Sequence, residues 1–368
     1  MTPAIARALD DAVKRLRALE LGDAFDPRAA AAIVASGLHA LCVPVEVGGL
    51  GASMNEAADV LMAIGAVDGS TALGFAMQVH VTGAMRETES FPGGLRDRLY
   101  RAILDTGALL NNAATEEGGG SPARGAIPGT VAARDADGTW RLTGEKTWTT
   151  WLPNLTHAFV TARTNPDDGE IEVRSFLVDL SAEGASRLEG FEALGMRGSA
   201  SGRLVLDGAP GEPLPATEGR GPAPQAWFGI AIAATYLGIG EGARADVVRW
   251  AVDRRPGDGS TAVADIPSVQ VRLGRMDAEL RAARIIVLDV ARRWDEARDS
   301  SDVPLAKLVA TRAAVNATDE ALRIAGGPGF LAGRLERAFR DARAGLINPP
   351  LEDIALQAFG KALAATPG

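Results

Sequence analysis

The hydrophobic period of this chain changes twice along its length, and the order helix, β, helix leaves few architectures open. Up to about residue 105 apolar residues recur at helical spacing, as in Ala30-Ala31-Ala32-Ile33-Val34 and Ala57-Ala58-Val60-Leu61-Met62-Ile64. The Gly-rich string Gly48-Gly49-Leu50-Gly51-Ala52-Ser53 interrupts that pattern. Ser53, with Glu56 three residues later, reads as a capping box that opens the next helix. From about 106 to 212 the chain is rich in Gly, Thr and Val in short alternating runs, such as Thr139–Thr143 and His157–Ala162. Turn signals at Asp137-Gly138 and Asn165-Pro166-Asp167-Asp168-Gly169 separate the runs, which is an antiparallel β pattern. A Pro/Gly-rich stretch over 208–224 then marks a boundary, and helical segments of bundle length follow, among them Ile266–Trp294 and Leu305–Ala325. The expected class is α+β and mostly helical. It comprises an N-terminal helical domain (1–105), a central antiparallel β-barrel-like domain (106–215) and a C-terminal four-helix bundle (216–368).

Composition narrows the function classes. The 368 residues exceed what one simple core accommodates, and with 46% hydrophobic but only 5% aromatic residues the cores should be aliphatic. A net charge of −9 offers no basic footprint for nucleic acid or an anionic membrane surface. No apolar run reaches bilayer length, and the opening MTPAIARALDDAVKRL lacks the apolar core of a signal peptide, so a cytoplasmic protein is expected. Cys42, the single cysteine, lies in an apolar run and reads as core. His39, His80 and His157 have no metal-ligand spacing. Ser121 and Ser201 have no His and Asp partners at a hydrolase spacing, and no Gly cluster follows a strand inside a βαβ unit, which argues against a nicotinamide site.

Six strings, in order, carry a resemblance that spans almost the whole chain. They are Val43-Pro44-Val45-Glu46-Val47-Gly48-Gly49-Leu50-Gly51, Thr115-Glu116-Glu117-Gly118-Gly119-Gly120-Ser121 and Gly144-Glu145-Lys146-Thr147-Trp148-Thr149-Thr150. Leu194-Gly195-Met196-Arg197-Gly198-Ser199, Gly326-Gly327-Pro328-Gly329 and Arg340-Asp341-Ala342-Arg343 follow. Together they resemble the acyl-CoA dehydrogenase superfamily. The resemblance implies FAD bound between the β domain and the bundle, a homodimer or homotetramer, an acyl thioester substrate on CoA or a carrier protein, and an electron acceptor. A flavin ring is flat and electron-poor with polar edges, so it needs backbone donors, hydroxyls and an aromatic wall. By resemblance Thr115 and Ser121 bond the pyrimidine edge and the diphosphate region, and the Gly120 turn brings backbone N–H groups close. Trp148 walls one face, and Thr150 sits near the reactive nitrogen. Arg254, Gly326 and Gly327 belong to the adenine side.

The pattern fails at the base. Where the family places its glutamate after the Arg-Asp-Ala-Arg helix, this chain has Pro349, in Leu346-Ile347-Asn348-Pro349-Pro350-Leu351-Glu352-Asp353. The alternative location, on the first bundle helix, falls in Ala226–Gly240, which contains no acid. The adenine side is also thinned: Arg254 stands without its aromatic companion, and Arg323 occupies the place of a glutamine. Glu352 and Asp353 are the nearest acids and the first candidates for a displaced base, although a helix start favoured by the dipole explains them as well. His80, on a segment that borders the substrate cavity in the family, is a further proton-transfer candidate. The expected function is oxidation of an acyl thioester at its α,β carbons; the alternatives are oxygen chemistry with reduced flavin supplied by a flavin reductase, and a subunit without a base in a hetero-oligomer.

Overall fold

The structure, a computed structural model, describes residues 1–89, 91–118, 126–164, 171–188, 190–215, 221–257 and 259–365. Five helices come first: α1 (Pro3–Ala18), α2 (Pro27–Ala35), α3 (Met54–Val67), α4 (Gly69–Glu87) and α5 (Gly93–Thr106). The capping box at Ser53 and Glu56 forms as the sequence indicates. The remaining orphan N–H groups at the start of α3 receive a carboxylate from far along the chain, because Asp295 accepts from Met54 N at 2.8 Å and Asn55 N at 2.9 Å.

Strands β1 (Leu110–Ala113), β2 (Val131–Arg134), β3 (Trp140–Thr149), β4 (His157–Thr164), β5 (Glu172–Asp179), β6 (Ala185–Leu188), β7 (Gly202–Pro210) and β8 (Glu212–Pro213) form one sheet. Its order is β6-β7-β3-β2-β4-β5-β8, with β1 on β4. The pairing is antiparallel as expected, except that β1 and β2 both run parallel to β4. Alternation cannot reveal this, since period 2 is shared by both pairing modes.

The C-terminal helices are α6 (Ala223–Asp253), α7 (Pro267–Ala297), α8 (Val303–Ala325), the short α9 (Gly327–Phe330), α10 (Arg334–Ile347) and α11 (Glu352–Ala365). Helices α6, α7, α8 and α10 pack together as the expected bundle. Among the described residues no helix is long and apolar enough to cross a membrane.

Two helices are buried on all sides and therefore central. Every residue of α4 from Gly69 to Met85 is buried, as is nearly all of α6 from Ala226 to Ala243. Small residues let neighbours lie flat on α4: a Cβ on Gly74 would stand 2.1 Å from the Trp151 ring, and one on Gly83 2.4 Å from the Trp227 ring. At the end of α4, Glu87 accepts the indole N–H of Trp227 at 2.8 Å and of Trp294 at 2.9 Å. Arg86 and Arg298 pair with the same carboxylate at 3.1 and 2.9 Å. One buried anion thus joins α4, α6 and α7. Glu87→Ala leaves two indole donors and two guanidinium groups short of a partner and should cost about 3–5 kcal/mol by chemical denaturation. Glu87→Gln, which keeps an acceptor, should cost clearly less.

Candidate active site

Two of the strings that carry the resemblance, at 115–121 and 144–150, are joined by a buried ion pair. Lys146, fully buried on β3, donates to Glu116 Oε1 at 2.5 Å. Glu116 also accepts from Thr130 Oγ1 at 2.7 Å, Thr130 N at 3.0 Å and Gly129 N at 2.5 Å. Burial pushes this carboxyl's pKa up, but the bonds from Lys146 and from Thr130 outweigh it and hold it at about 2. The backbone repeats the tie, with Thr147 N donating to Thr115 O at 2.8 Å.

Beyond Lys146 the β3–β7 register slips before Thr149. A bulge of this kind re-aims side chains. Trp148 takes a left-handed φ of 56° and turns its ring outward, 55% exposed, edge-on to Phe191 at 5.6 Å. Trp151, also left-handed at φ 59°, turns inward against α4. Left-handed backbone at bulky residues is costly and concentrates at sites where geometry is imposed. Thr150 stands between the two tryptophans in the sequence. Its hydroxyl meets Ser201 Oγ at 2.9 Å, Ser201 meets Ser199 Oγ at 2.8 Å, and its carbonyl accepts from Asn111 Nδ2 at 3.0 Å. The buried hydroxyl of Thr147 has no partner among the described residues. An outward aromatic face beside hydroxyls, one of them unsatisfied, fits a flat ring with polar edges.

On the neighbouring side, α4 and the sheet enclose a cleft of about 80 Å³. Gln78 sets their register by accepting from Leu110 N at 2.7 Å, and two residues further along each element His80 Nε2 meets Asn112 Nδ2 at 3.0 Å. Nδ1 of His80 faces the Ala76 carbonyl at 3.3 Å. A carbonyl only accepts, so Nδ1 carries the proton, and Nε2 offers its lone pair to the Asn112 amide. The ring is 3% exposed, and burial pulls its pKa down to about 4. Phe228 of α6, from the stretch without an acid, packs edge-on against it at 5.2 Å. Thr88 and Ser175 add hydroxyls, while Met85, Phe91 and Phe159 form the apolar wall. Among the described residues no carboxylate lines this cleft.

Not all of the sequence-predicted residues gather here. Thr115, Trp148 and Thr150 share the β3 unit, and His80 reaches it through adjacent β1 residues, Asn112 and Asn111. Gly120 and Ser121 lie outside the described residues. Arg254 is the exposed residue that ends α6, and Gly326, with φ 62°, ends α8 with Gly327 opening α9. Glu352 and Asp353 form the first turn of α11, Glu352 is ion-paired with Arg312, and Asp353 is exposed. Neither lines the cleft. Arg340 bonds Glu336 and Asp23, and Arg343 lies over the Phe339 ring and reaches Thr318. Sequence reasoning missed Asn112 and the Ser199–Ser201 hydroxyl chain. The available signal was two consecutive asparagines in a short strand, the first buried and the second exposed.

Comparison with known proteins agrees along the chain. Family models for the acyl-CoA dehydrogenase N-terminal, middle and C-terminal domains match residues 4–91, 111–209 and 227–348. The putative acyl-CoA dehydrogenase YdbM of Bacillus subtilis is 32% identical over 86% of this chain and 84% of its own length. L-evernosamine nitrososynthase of a Micromonospora species is 29% identical over 85% of this chain and 77% of its own. In structure, butyryl-CoA dehydrogenase from Megasphaera elsdenii superposes with a TM-score of 0.86 at 22% identity over 99% of each chain, which speaks to fold alone. A flavin-dependent enzyme, with FAD the cofactor of the dehydrogenases, is therefore what the motifs and the fold jointly describe. The chain belongs to the acyl-CoA dehydrogenase family.

Proposed function

We propose that this enzyme is a flavin-dependent oxygenase that works with reduced flavin and molecular oxygen, the flavin being reduced by a separate reductase. The observation that carries the reading is the cleft itself: its polar end is a neutral His80–Asn112 pair, and no carboxylate lines it among the described residues. Removal of an acyl α-proton needs a base of useful strength. An imidazole held at about 4 is a hydrogen-bond acceptor at neutral pH and a poor base. The hydrogen bond from Arg312 holds the Glu352 carboxyl below its usual range, which weakens that candidate too. When bound in reduced form, a flavin supplies the two electrons that let oxygen give one atom to a substrate and leave the other as water.

The chain's own groups have definite parts in this reaction. Trp148 covers one face of the ring, and Thr150 bonds its edge. Once the Asn112 amide turns aside, His80 Nε2 accepts the N–H or O–H of the substrate, and Asn112 offers its two amide donors to the developing negative oxygen. Met85, Phe91 and Phe159 keep bulk water from the reacting atoms. The relative named as a nitrososynthase supports the same reading.

A second reading, oxidation of an acyl thioester, has its own support in the Lys146–Thr150 string and in the relative named as a putative acyl-CoA dehydrogenase. The two separate cleanly by experiment. Mixed anaerobically with a panel of acyl-CoA and carrier-bound acyl substrates, the flavin-loaded protein should keep its oxidised absorbance. With NADH, a flavin reductase and amine or hydroxylamine substrates it should consume oxygen and form oxygenated product. Bleaching by any acyl thioester would establish the dehydrogenase instead.

His80 can be tested in two ways. His80→Gln should slow oxygenation by roughly tenfold, the worth of one displaced hydrogen bond, measured as kcat under saturating oxygen. The wild type should also lose about 3 kcal/mol of stability relative to His80→Gln between pH 6.5 and 4. The folded state resists protonating the ring, whereas the unfolded chain protonates it near 6.5, so this contribution is present above 6.5 and lost as pH falls toward 4. Denaturant titrations of both proteins across that range provide the check.

A further inference from the structure

We propose that Asp341 is a positioning residue which, from α10, holds the 194–201 loop and through it the Ser199 and Ser201 hydroxyls against Thr150. The proposal rests on the reading that places the flavin at Trp148–Thr150.

The loop is held by three consecutive residues. Arg340 Nη1 donates to Leu194 O at 2.9 Å. Gly195 lies so near the helix that a Cβ there would stand 2.4 Å from the Arg340 carbonyl oxygen. Asp341 Oδ1 accepts from Met196 N at 2.5 Å. The loop needs such a hold, because Met196 and Ala200 both adopt left-handed backbone, with φ 55° and 42°. It passes its position on directly. Ser199 N donates to Met196 O at 2.9 Å, and Trp151 N donates to Ser199 O at 2.8 Å. The Ser199–Ser201–Thr150 hydroxyl chain then ends at the residue assigned to the flavin edge.

Asp341 is an unusual choice for a mere packing contact. It is 3% exposed, yet no ion pair to it forms among the described residues. Arg337 of α10 is engaged by Asp68 at the start of α4 and Arg340 by Glu336 and Asp23; Asp246 and Arg334 line the same cavity and pair with each other, and the Tyr236 phenol of α6 is near enough to feel the charge. Burial raises its carboxyl to about 6, with Asp68 adding to the rise, while the Met196 N–H and the two arginines oppose it. The carboxylate is the stronger acceptor, so the hold on Met196 is firm at neutral pH and slackens as pH falls through about 6.

The test compares wild type, Asp341→Ala and Asp341→Asn in the full chain. Hydrogen exchange is followed over residues 191–203, and FAD and FMN affinity is followed by flavin fluorescence from pH 5 to 8. Asp341→Ala should raise exchange in the loop and weaken flavin binding about tenfold or more. Asp341→Asn keeps a carbonyl acceptor for Met196 N but cannot ionise. It should bind flavin with an affinity independent of pH, where the wild type weakens below about 6. Identical pH profiles for wild type and Asp341→Asn would overturn the proposal even if Asp341→Ala fails to fold. Faster exchange in Asp341→Ala without any change in flavin affinity would overturn it as well, provided that Trp148→Ala weakens the flavin. If Trp148→Ala leaves flavin binding unchanged, the placement of the flavin fails instead.

Discussion

The burial of α4 on every side is the constraint from which the rest of the structure follows. A helix with no solvent face must be covered on all sides, and here the cover is α3 and α6 on one side and the start of the β sheet on the other. Its small residues decide how closely the cover approaches, since Gly74 receives Trp151 from the end of β3 and Gly83 receives Trp227 from α6. The same helix presents Gln78 and His80 to β1 in register. The cleft, its imidazole and the inward indole beside Thr150 are therefore consequences of one packing problem. Glu87 closes the far end by collecting two indoles and two arginines from three helices.

Electrostatics then sorts the buried groups by what surrounds them. Glu116 has a cation and hydroxyl and amide donors within hydrogen-bond distance and stays ionised, which makes it a fixed structural anion. His80 has a carbonyl and an amide and stays neutral. Asp341 has one backbone donor and only remote arginines, and sits between these extremes. Low local dielectric amplifies each difference. The first group builds the scaffold that carries Trp148, the second suits a reaction that needs an acceptor and not a strong base, and the third can respond to conditions.

Much of the fold was legible from residues 1–106 and 223–365, because helices declare themselves through a single long period and local caps. The Ser53–Glu56 box is present where the sequence placed it. The order of strands was not legible. The parallel pairing of β1 and β2 with β4 depends on which edges meet after the sheet curls, and no local pattern encodes that. The Gly144–Thr150 string, with Trp148 in it, could be read because it is one contiguous run. Asn112, Ser199 and Ser201 could not, since each acquires its meaning from a partner many residues away.

The sequence by itself determined the family, the three-part order of the chain and the absence of a glutamate at Pro349 and in Ala226–Gly240, for these depend only on residue type and position. The tertiary structure alone decided what those absences leave behind. It put Glu352 in an ion pair with Arg312, away from the cleft lining, and left Phe228 packed on His80 from the helix without an acid. It also buried His80 deeply enough to keep it neutral and tied the Arg-Asp-Ala-Arg helix to the loop behind Thr150. A side chain's protonation and its partners are set by the space around it, and that space is made by segments far apart in the chain.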